Sequence, residues 1–223
     1  MDNFIDLKWG KLLRRAELFV LIPFVEIVFV AGSMAMGNVK ENSDFDLIIG
    51  VRSGRIFTVR AFCFFMFGIL GWRRKRGASG KDTKDKFCFS HFVTPERYSL
   101  SGPYNEYWQR LYGSLVPIYG DDKLIQRFYD ANALWMKEGK LYGKDIRHLY
   151  SKSGYSKIFL EKILDGKLGD LLEELLKDVQ IKKIEGSLRT EKQYKPRIIF
   201  NDRELEFHPD TRRIEDMLDR KEF

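Results

Sequence analysis

Residues 26–50 read EIVFVAGSMAMGNVKENSDFDLIIG and combine apolar runs with a Gly-Ser pair and two closely spaced aspartates. Residues 27–31 are apolar and mostly β-branched or aromatic, which predicts a buried strand. A second strand is predicted around Asp44 and Asp46. Side chains alternate between the two faces of a strand, so both aspartates point to one face and Phe45 points to the other. Two adjacent carboxylates on an otherwise apolar strand favour a divalent cation site, because such cations prefer oxygen ligands.

The Gly32-Ser33 pair follows the first predicted strand and offers groups that suit phosphate. Gly32 has no Cβ that could obstruct a ligand. Ser33 provides a hydroxyl, and a helix that begins there would provide free backbone N–H groups. Phosphate-binding groups beside a pair of metal-binding carboxylates predict that a nucleoside triphosphate binds here as its magnesium complex.

The complete pattern resembles the signature of the polymerase-β-like nucleotidyltransferase superfamily, which includes the aminoglycoside and the small minimal nucleotidyltransferases. The residues that carry the resemblance are Gly32-Ser33, ten intervening residues, and Asp44-x-Asp46, about a tenth of the chain with their flanks. The resemblance implies a mixed β-sheet with flanking helices. It also implies that Gly32 and Ser33 bind the nucleotide, and that Asp44 and Asp46 are catalytic residues that bind Mg²⁺ or Mn²⁺.

Residues 87–93 (FCFSHFV) alternate in polarity and predict a third strand. In the superfamily that this chain resembles, this strand usually carries a third carboxylate, which is credited with activating the acceptor hydroxyl. Here that acid is missing. If the aromatic side of the strand is core, alternation turns Cys88, Ser90 and Phe92 toward the site, with Ser90 at the position of the acid. His91 can replace the acid only if the register differs; the favoured interpretation is a structural histidine held by hydrogen bonds.

The charge distribution bears on the partners of the chain, which has 223 residues and a formal net charge of +7. Residues 73–86 hold seven Lys or Arg residues against two aspartates. This segment is either a solvated loop or an arm that attracts the phosphates of RNA or of the triphosphate. Cys63 and Cys88 lie in apolar runs, which predicts free thiols and a cytoplasmic location.

Residues 18–36 contain one charge and follow several Lys and Arg residues, which is also typical of a membrane anchor. Pro23 interrupts this run, and Glu26 would lie near the bilayer centre. The residues after Pro23 are typical of a buried strand. We therefore predict an amphipathic helix over residues 9–21, a break at Pro23, and no transmembrane span. Residues 56–72 predict a helix packed on the sheet, because their uncharged part is too short to cross a bilayer.

The patterning changes from strands to helices between residues 94 and 103, so we expect a nucleotidyltransferase domain over residues 1–98 and a mainly helical acceptor-binding domain over residues 99–223. The fold class expected is α+β. Further elements are predicted as a helix from Pro103 with Ser101 as its cap, a helix from Asp121 to Gly139, a helix over 159–176 interrupted at 166–169, a β-hairpin over 197–207 and a short charged helix over 209–218.

Three functions are compatible with these features. The first is an enzyme, a nucleotidyltransferase that moves a nucleoside monophosphate from a magnesium–nucleoside triphosphate to an acceptor hydroxyl. The second is a nucleotide-binding regulatory protein that has lost transfer chemistry. The third is a basic RNA-binding module that uses residues 73–86. The sequence leaves open which nucleotide is used, whether the acceptor is a small molecule, RNA or protein, and which oligomeric state the chain has.

Overall fold

A six-stranded mixed β-sheet organises the computed structural model, which describes residues 2–102, 104–136, 153–188 and 197–208. Its strands are β1 (Val25–Val30), β2 (Phe45–Val51), β3 (Phe87–Val93), β4 (Val116–Gly120), β5 (Arg197–Phe200) and β6 (Glu204–His208). Their order in the sheet is β4-β1-β2-β3-β6-β5. Strands β2 and β3 run parallel, and every other neighbouring pair is antiparallel.

Seven α-helices surround this sheet within the described ranges. They are α1 (Asp2–Ala16), α2 (Gly32–Met36), α3 (Ile56–Ile69), α4 (Glu106–Gly113), α5 (Asp122–Asn132), α6 (Tyr155–Leu164) and α7 (Lys167–Leu188). The predicted mixed sheet with flanking helices is therefore confirmed. Among the helices that the structure describes, none combines the length and the apolar character needed to cross a membrane.

The two faces of the sheet are buried by different helices. Phe45, Leu47 and Ile49 of β2 belong to the core that includes α1 and α3. Ile48 belongs to a second core, which includes α4 and α5. Because residues alternate along the strand, Asp46 lies on the same face as Ile48. The polar pair predicted from the sequence thus opens toward the α4 side of the sheet.

Helix α7 packs along α3 and completes its N-terminus. The carboxylate of Glu173 accepts hydrogen bonds from the backbone N–H groups of Phe57 (2.9 Å) and Thr58 (2.8 Å). The first N–H groups of a helix have no partner within the helix, and Glu173 supplies the acceptors from more than 100 residues away. This contact anchors α7, and so one wall of the cavity described below.

Strand β4 was not predicted, because its five residues contain Pro117 and lie between two helices. It pairs with β1 at the edge of the sheet. With β5 and β6, it adds strands from beyond residue 99 to the sheet of β1, β2 and β3. The hairpin of β5 and β6 was predicted correctly. The predicted interruption of the helix before this hairpin is present, but it lies between Leu164 and Lys167 rather than over residues 166–169.

The helix boundaries differ in detail from the predicted ones. Helix α1 ends at Ala16 and is followed by a 3₁₀ turn over Glu17–Leu21, so the predicted helix is split. Helix α4 is capped by Asn105, whose side chain accepts a hydrogen bond from the Trp108 N–H, rather than by Ser101. Helix α4 begins at Glu106 rather than at Pro103, and α5 ends at Asn132 rather than at Gly139. The short charged helix predicted over residues 209–218 lies outside the described residues.

Candidate functional site

Two carboxylates and a thiol converge near the beginning of β2 and β3. Asp44, Asp46 and Cys88 each offer one ligand atom, and these atoms lie within 4.8 Å of one another. Cys88 reaches this position because it pairs with Asp46 across the parallel strands. All three residues are half-buried. Two carboxylate oxygens form a donor set that can hold a divalent cation, and the Cys88 sulfur lies beside them.

Gly32 lies directly against the carboxylate of Asp46. A Cβ added to Gly32 would overlap Asp46 Oδ2, and the backbone φ of Gly32 is +62°. This conformation strongly favours glycine, and the carboxylate fills the space that a side chain would need. The Ala31 N–H donates to the Asp46 carbonyl at 2.9 Å, which fixes the start of α2 beside β2. Ser33 follows in α2 and is half-buried.

Arg74 places a cation within the acidic cluster. Its Nη1 donates to Asp44 Oδ2 at 2.7 Å and lies 3.8 Å from Cys88 Sγ. A guanidinium nitrogen thus contacts two of the three ligand groups. Burial raises the pKa of the Cys88 thiol, and the carboxylates of Asp46 and Asp44 raise this pKa further. The thiol is therefore protonated at neutral pH, and Arg74 balances the carboxylates.

An irregularity in β3 changes which residues face the site. Asp46 pairs with Cys88, whereas Ile48 pairs with His91, so β3 contains one more residue than β2 between these two pairs. An extra residue of this kind shifts the alternation of the strand. As a result Phe92, which was predicted to face the site, packs in the core with α1 and α3.

The position predicted for Ser90, beside the two aspartates, is held by Cys88. Ser90 lines the adjacent cavity and shares a hydrogen bond with Cys88. No third carboxylate joins Asp44 and Asp46 within the described part of the chain. The sequence indicated that β3 lacks a third acid, and among the described residues no acid from another element takes its place beside Asp44 and Asp46.

His91 forms a second polar cluster on the same side of the sheet. His91 is buried, and its Nε2 lies 3.2 Å from Glu204 Oε1. Arg97 donates from Nε and Nη2 to Glu204 Oε2 at 3.3 and 3.2 Å. Glu206 pairs with His91 across β3 and β6, and it is fully buried. Glu204 and Glu206 were not predicted from the sequence. Their alternation in ELEFH was the available signal, but nothing in the sequence indicates that β6 pairs with β3.

A cavity of about 720 Å³ adjoins both clusters. Gly32, Asp46 and His91 line it, whereas Ser33 and Asp44 are not among its lining residues. Six basic side chains also line the cavity, namely Arg60, Arg73, Arg74, Lys75, Arg76 and Lys183. The volume is in the range of small-molecule and cofactor sites, and the basic wall favours an anionic ligand.

Asp85, the acidic residue just before β3, serves a different purpose. Its carboxylate contacts Lys8 Nζ at 3.2 Å and Lys11 Nζ at 2.5 Å, and Arg15 donates to its carbonyl oxygen. Burial raises the pKa of Asp85, but the hydrogen bonds from Lys11 and Lys8 outweigh burial, so its pKa lies below the usual value. Asp85 therefore anchors α1.

No family model, curated protein or solved structure matches this chain.

Proposed function

We propose that this chain is a nucleotidyltransferase, which transfers a nucleoside monophosphate from a metal-bound nucleoside triphosphate to an acceptor hydroxyl. The observation that carries this proposal is the convergence of Asp44, Asp46 and Cys88 beside Gly32, at a cavity with a basic wall. Acidic ligands for a cation and basic side chains around a cavity are what a polyphosphate with its cation requires.

Asp44 and Asp46 are the residues that would hold Mg²⁺ or Mn²⁺, with the sulfur of Cys88 beside them. Such a cation neutralises phosphate charge and polarises the phosphoryl oxygens. Gly32 places no side-chain atoms against the Asp46 carboxylate, whereas Ser33, the next residue of α2, does not line the cavity. When a cation neutralises Asp44 and Asp46, Arg74 would exchange its contact with Asp44 for a contact with phosphate.

His91 accepts the proton of the acceptor hydroxyl in this proposal. It lines the cavity, and Glu204 orients its ring through Nε2 while Arg97 balances the charge of Glu204. The hydroxyl oxygen forms a bond to the α-phosphorus, and the bond from that phosphorus to the bridging oxygen breaks. Pyrophosphate leaves, and the hydroxyl proton passes to the imidazole and then to solvent.

A nucleotide-binding regulatory protein without transfer chemistry is the second candidate. The specific observation in its favour is that Cys88, with a protonated thiol, stands beside Asp44 and Asp46 where a third carboxylate is expected. Such a protein binds the metal–nucleotide complex and releases no pyrophosphate.

The basic segment of residues 73–86 indicates whether the partner is a small anion or RNA. Four consecutive basic side chains of this segment, at positions 73–76, line the cavity, which favours an anion inside it. An RNA-binding module would instead show affinity for polynucleotides that depends steeply on salt and is insensitive to substitution of Asp44. The free thiols of Cys63 and Cys88 support a cytoplasmic location.

Pyrophosphate release from each of the four nucleoside triphosphates, with Mg²⁺ or Mn²⁺, tests the proposal. The acceptors offered are total RNA, a protein lysate and small hydroxylated metabolites. Release by the wild type that is lost in Asp46→Asn supports the transferase and names its donor. His91→Gln should lose release and keep nucleotide affinity, whereas His208→Gln, at the other histidine of the cavity, should keep both. Metal-dependent binding without release supports the regulatory protein, and binding of neither nucleotide nor metal excludes both.

A further inference from the structure

Two arginines in the cavity wall share one aromatic ring. The guanidinium carbon of Arg60, on α3, lies 4.3 Å from the centroid of Phe64, and that of Arg73 lies 4.5 Å from it. Arg60 also lies 5.0 Å from the Phe207 ring and donates from Nη1 to Gln180 Oε1 at 2.6 Å. Aromatic faces and an amide oxygen hold these cations in place, but none of these groups carries a negative charge.

Neither arginine has an acidic partner within the residues that the structure describes. The Nε atoms of both Arg60 and Arg73 are buried and have no hydrogen-bond partner. Burial lowers the pKa of Arg60 to about 10, with a further contribution from the positive charge of Arg73. Half-buried cations without a counter-ion are destabilising, so an anion that enters from outside the protein would stabilise this pair.

The composition of the cavity indicates which anion fits. Arg60 and Arg73 line the same cavity as Arg74, Lys75 and Arg76, so the anion lies among several positive charges. Guanidinium groups match phosphate through paired N–H donors. We propose that Arg60 and Arg73 form a phosphate-binding subsite, which is separate from the Asp44–Asp46 group and needs no metal.

This subsite has two chemical sources of phosphate. One is the triphosphate of the nucleotide, and the other is a phosphate carried by the acceptor. The inference does not depend on the proposed transfer reaction, because phosphate binding by two guanidinium groups requires neither catalysis nor the carboxylates.

Calorimetric titration with inorganic tripolyphosphate in the presence of EDTA tests the subsite, because EDTA removes any contribution of a metal at Asp46. Arg73→Gln should weaken tripolyphosphate binding at least tenfold. Lys75→Gln removes the same charge from an exposed neighbour in the same wall, and it should weaken binding threefold at most. Absence of binding by the wild type, or equal losses in the two variants, would overturn the proposal.

A variant that keeps every charge separates specific binding from general attraction. Phe64→Leu removes the ring on which both guanidinium groups lie, and it should weaken tripolyphosphate binding severalfold at unchanged net charge. Unchanged binding in a folded Phe64→Leu protein would contradict the preorganised pair. Arg60→Gln should weaken tripolyphosphate binding to the same extent as Arg73→Gln.

Two further titrations identify the source of the phosphate. Wild type and Arg73→Gln are titrated with a magnesium–nucleoside triphosphate, and with a short oligonucleotide in its 5′-phosphorylated and dephosphorylated forms. A loss confined to the nucleoside triphosphate assigns the subsite to the donor. A loss confined to the phosphorylated oligonucleotide assigns it to a phosphate of the acceptor. If Arg73→Gln binds all three ligands with wild-type affinity, the proposed subsite is wrong.

Discussion

Replacing Arg74 by glutamine should tighten the binding of Mn²⁺ to the acidic cluster. Arg74 Nη1 lies 2.7 Å from Asp44 Oδ2, with 36% of the arginine side chain and 16% of the aspartate side chain exposed. A partly exposed ion pair with one charge-assisted hydrogen bond contributes about 1 kcal/mol. A cation that binds Asp44 must displace Arg74, so loss of the Arg74–Asp44 contact should increase Mn²⁺ affinity. A difference of about 1 kcal/mol corresponds to an increase of about fivefold.

Electron paramagnetic resonance of free Mn²⁺ measures this affinity directly. Lys75→Gln is the matched control, because it removes the same charge one residue along and has no contact with Asp44; it should change Mn²⁺ affinity less than twofold. The effect should reverse for the manganese complex of a nucleoside triphosphate, since Arg74 then contacts phosphate and its loss weakens binding. Equal Mn²⁺ affinities in Arg74→Gln and Lys75→Gln would refute the competition between guanidinium and metal.

Three further predictions concern the framework of the site. Gly32→Ala should lower Mn²⁺ affinity at least tenfold in the same titration, because its Cβ overlaps a ligand carboxylate; Gly37→Ala has a similar positive φ with nothing within 4 Å of the added Cβ, and should leave the affinity unchanged. Glu173→Ala should reduce the free energy of unfolding in urea by about 2–4 kcal/mol, because two buried N–H groups lose their acceptor, whereas Glu174→Ala at an exposed neighbour should change it by less than about 0.5 kcal/mol. The lowered pKa of Asp85 means that its contribution to stability is complete above its unfolded pKa of about 4 and is lost as the pH falls through its lower folded pKa; Asp85→Asn should flatten the dependence of unfolding free energy on pH in that range.

Local patterns were sufficient to predict the centre of the fold. The apolar residues before Gly32 and the alternation around Asp44 and Asp46 correctly predicted β1, β2 and the face on which Asp46 lies. Period-two alternation also predicted β3 with its bounds. These features depend on residues that are close in the sequence, so the sequence carries them directly.

Features that depend on pairing between distant strands could not be predicted in this way. The pairing of Asp46 with Cys88, and the extra residue in β3 that turns Phe92 into the core, are visible only once β2 and β3 are paired. The contact of His91 with Glu204 likewise requires β6 to lie beside β3. Side chains that reach the site from loops, such as Arg74, have no periodic signal at all.

Calorimetric binding of a magnesium–nucleoside triphosphate to the wild type and to Asp46→Asn tests the central claim most directly. Asp85→Asn is the matched control, because it removes a carboxylate that contacts Lys8 and Lys11 instead of the cavity. We predict one metal–nucleotide complex per wild-type chain, a loss of affinity of at least tenfold in Asp46→Asn, and an unchanged affinity in Asp85→Asn. Equal affinities in wild type and Asp46→Asn, or no binding by the folded wild type, would contradict the assignment of Asp44 and Asp46 to a metal–nucleotide site.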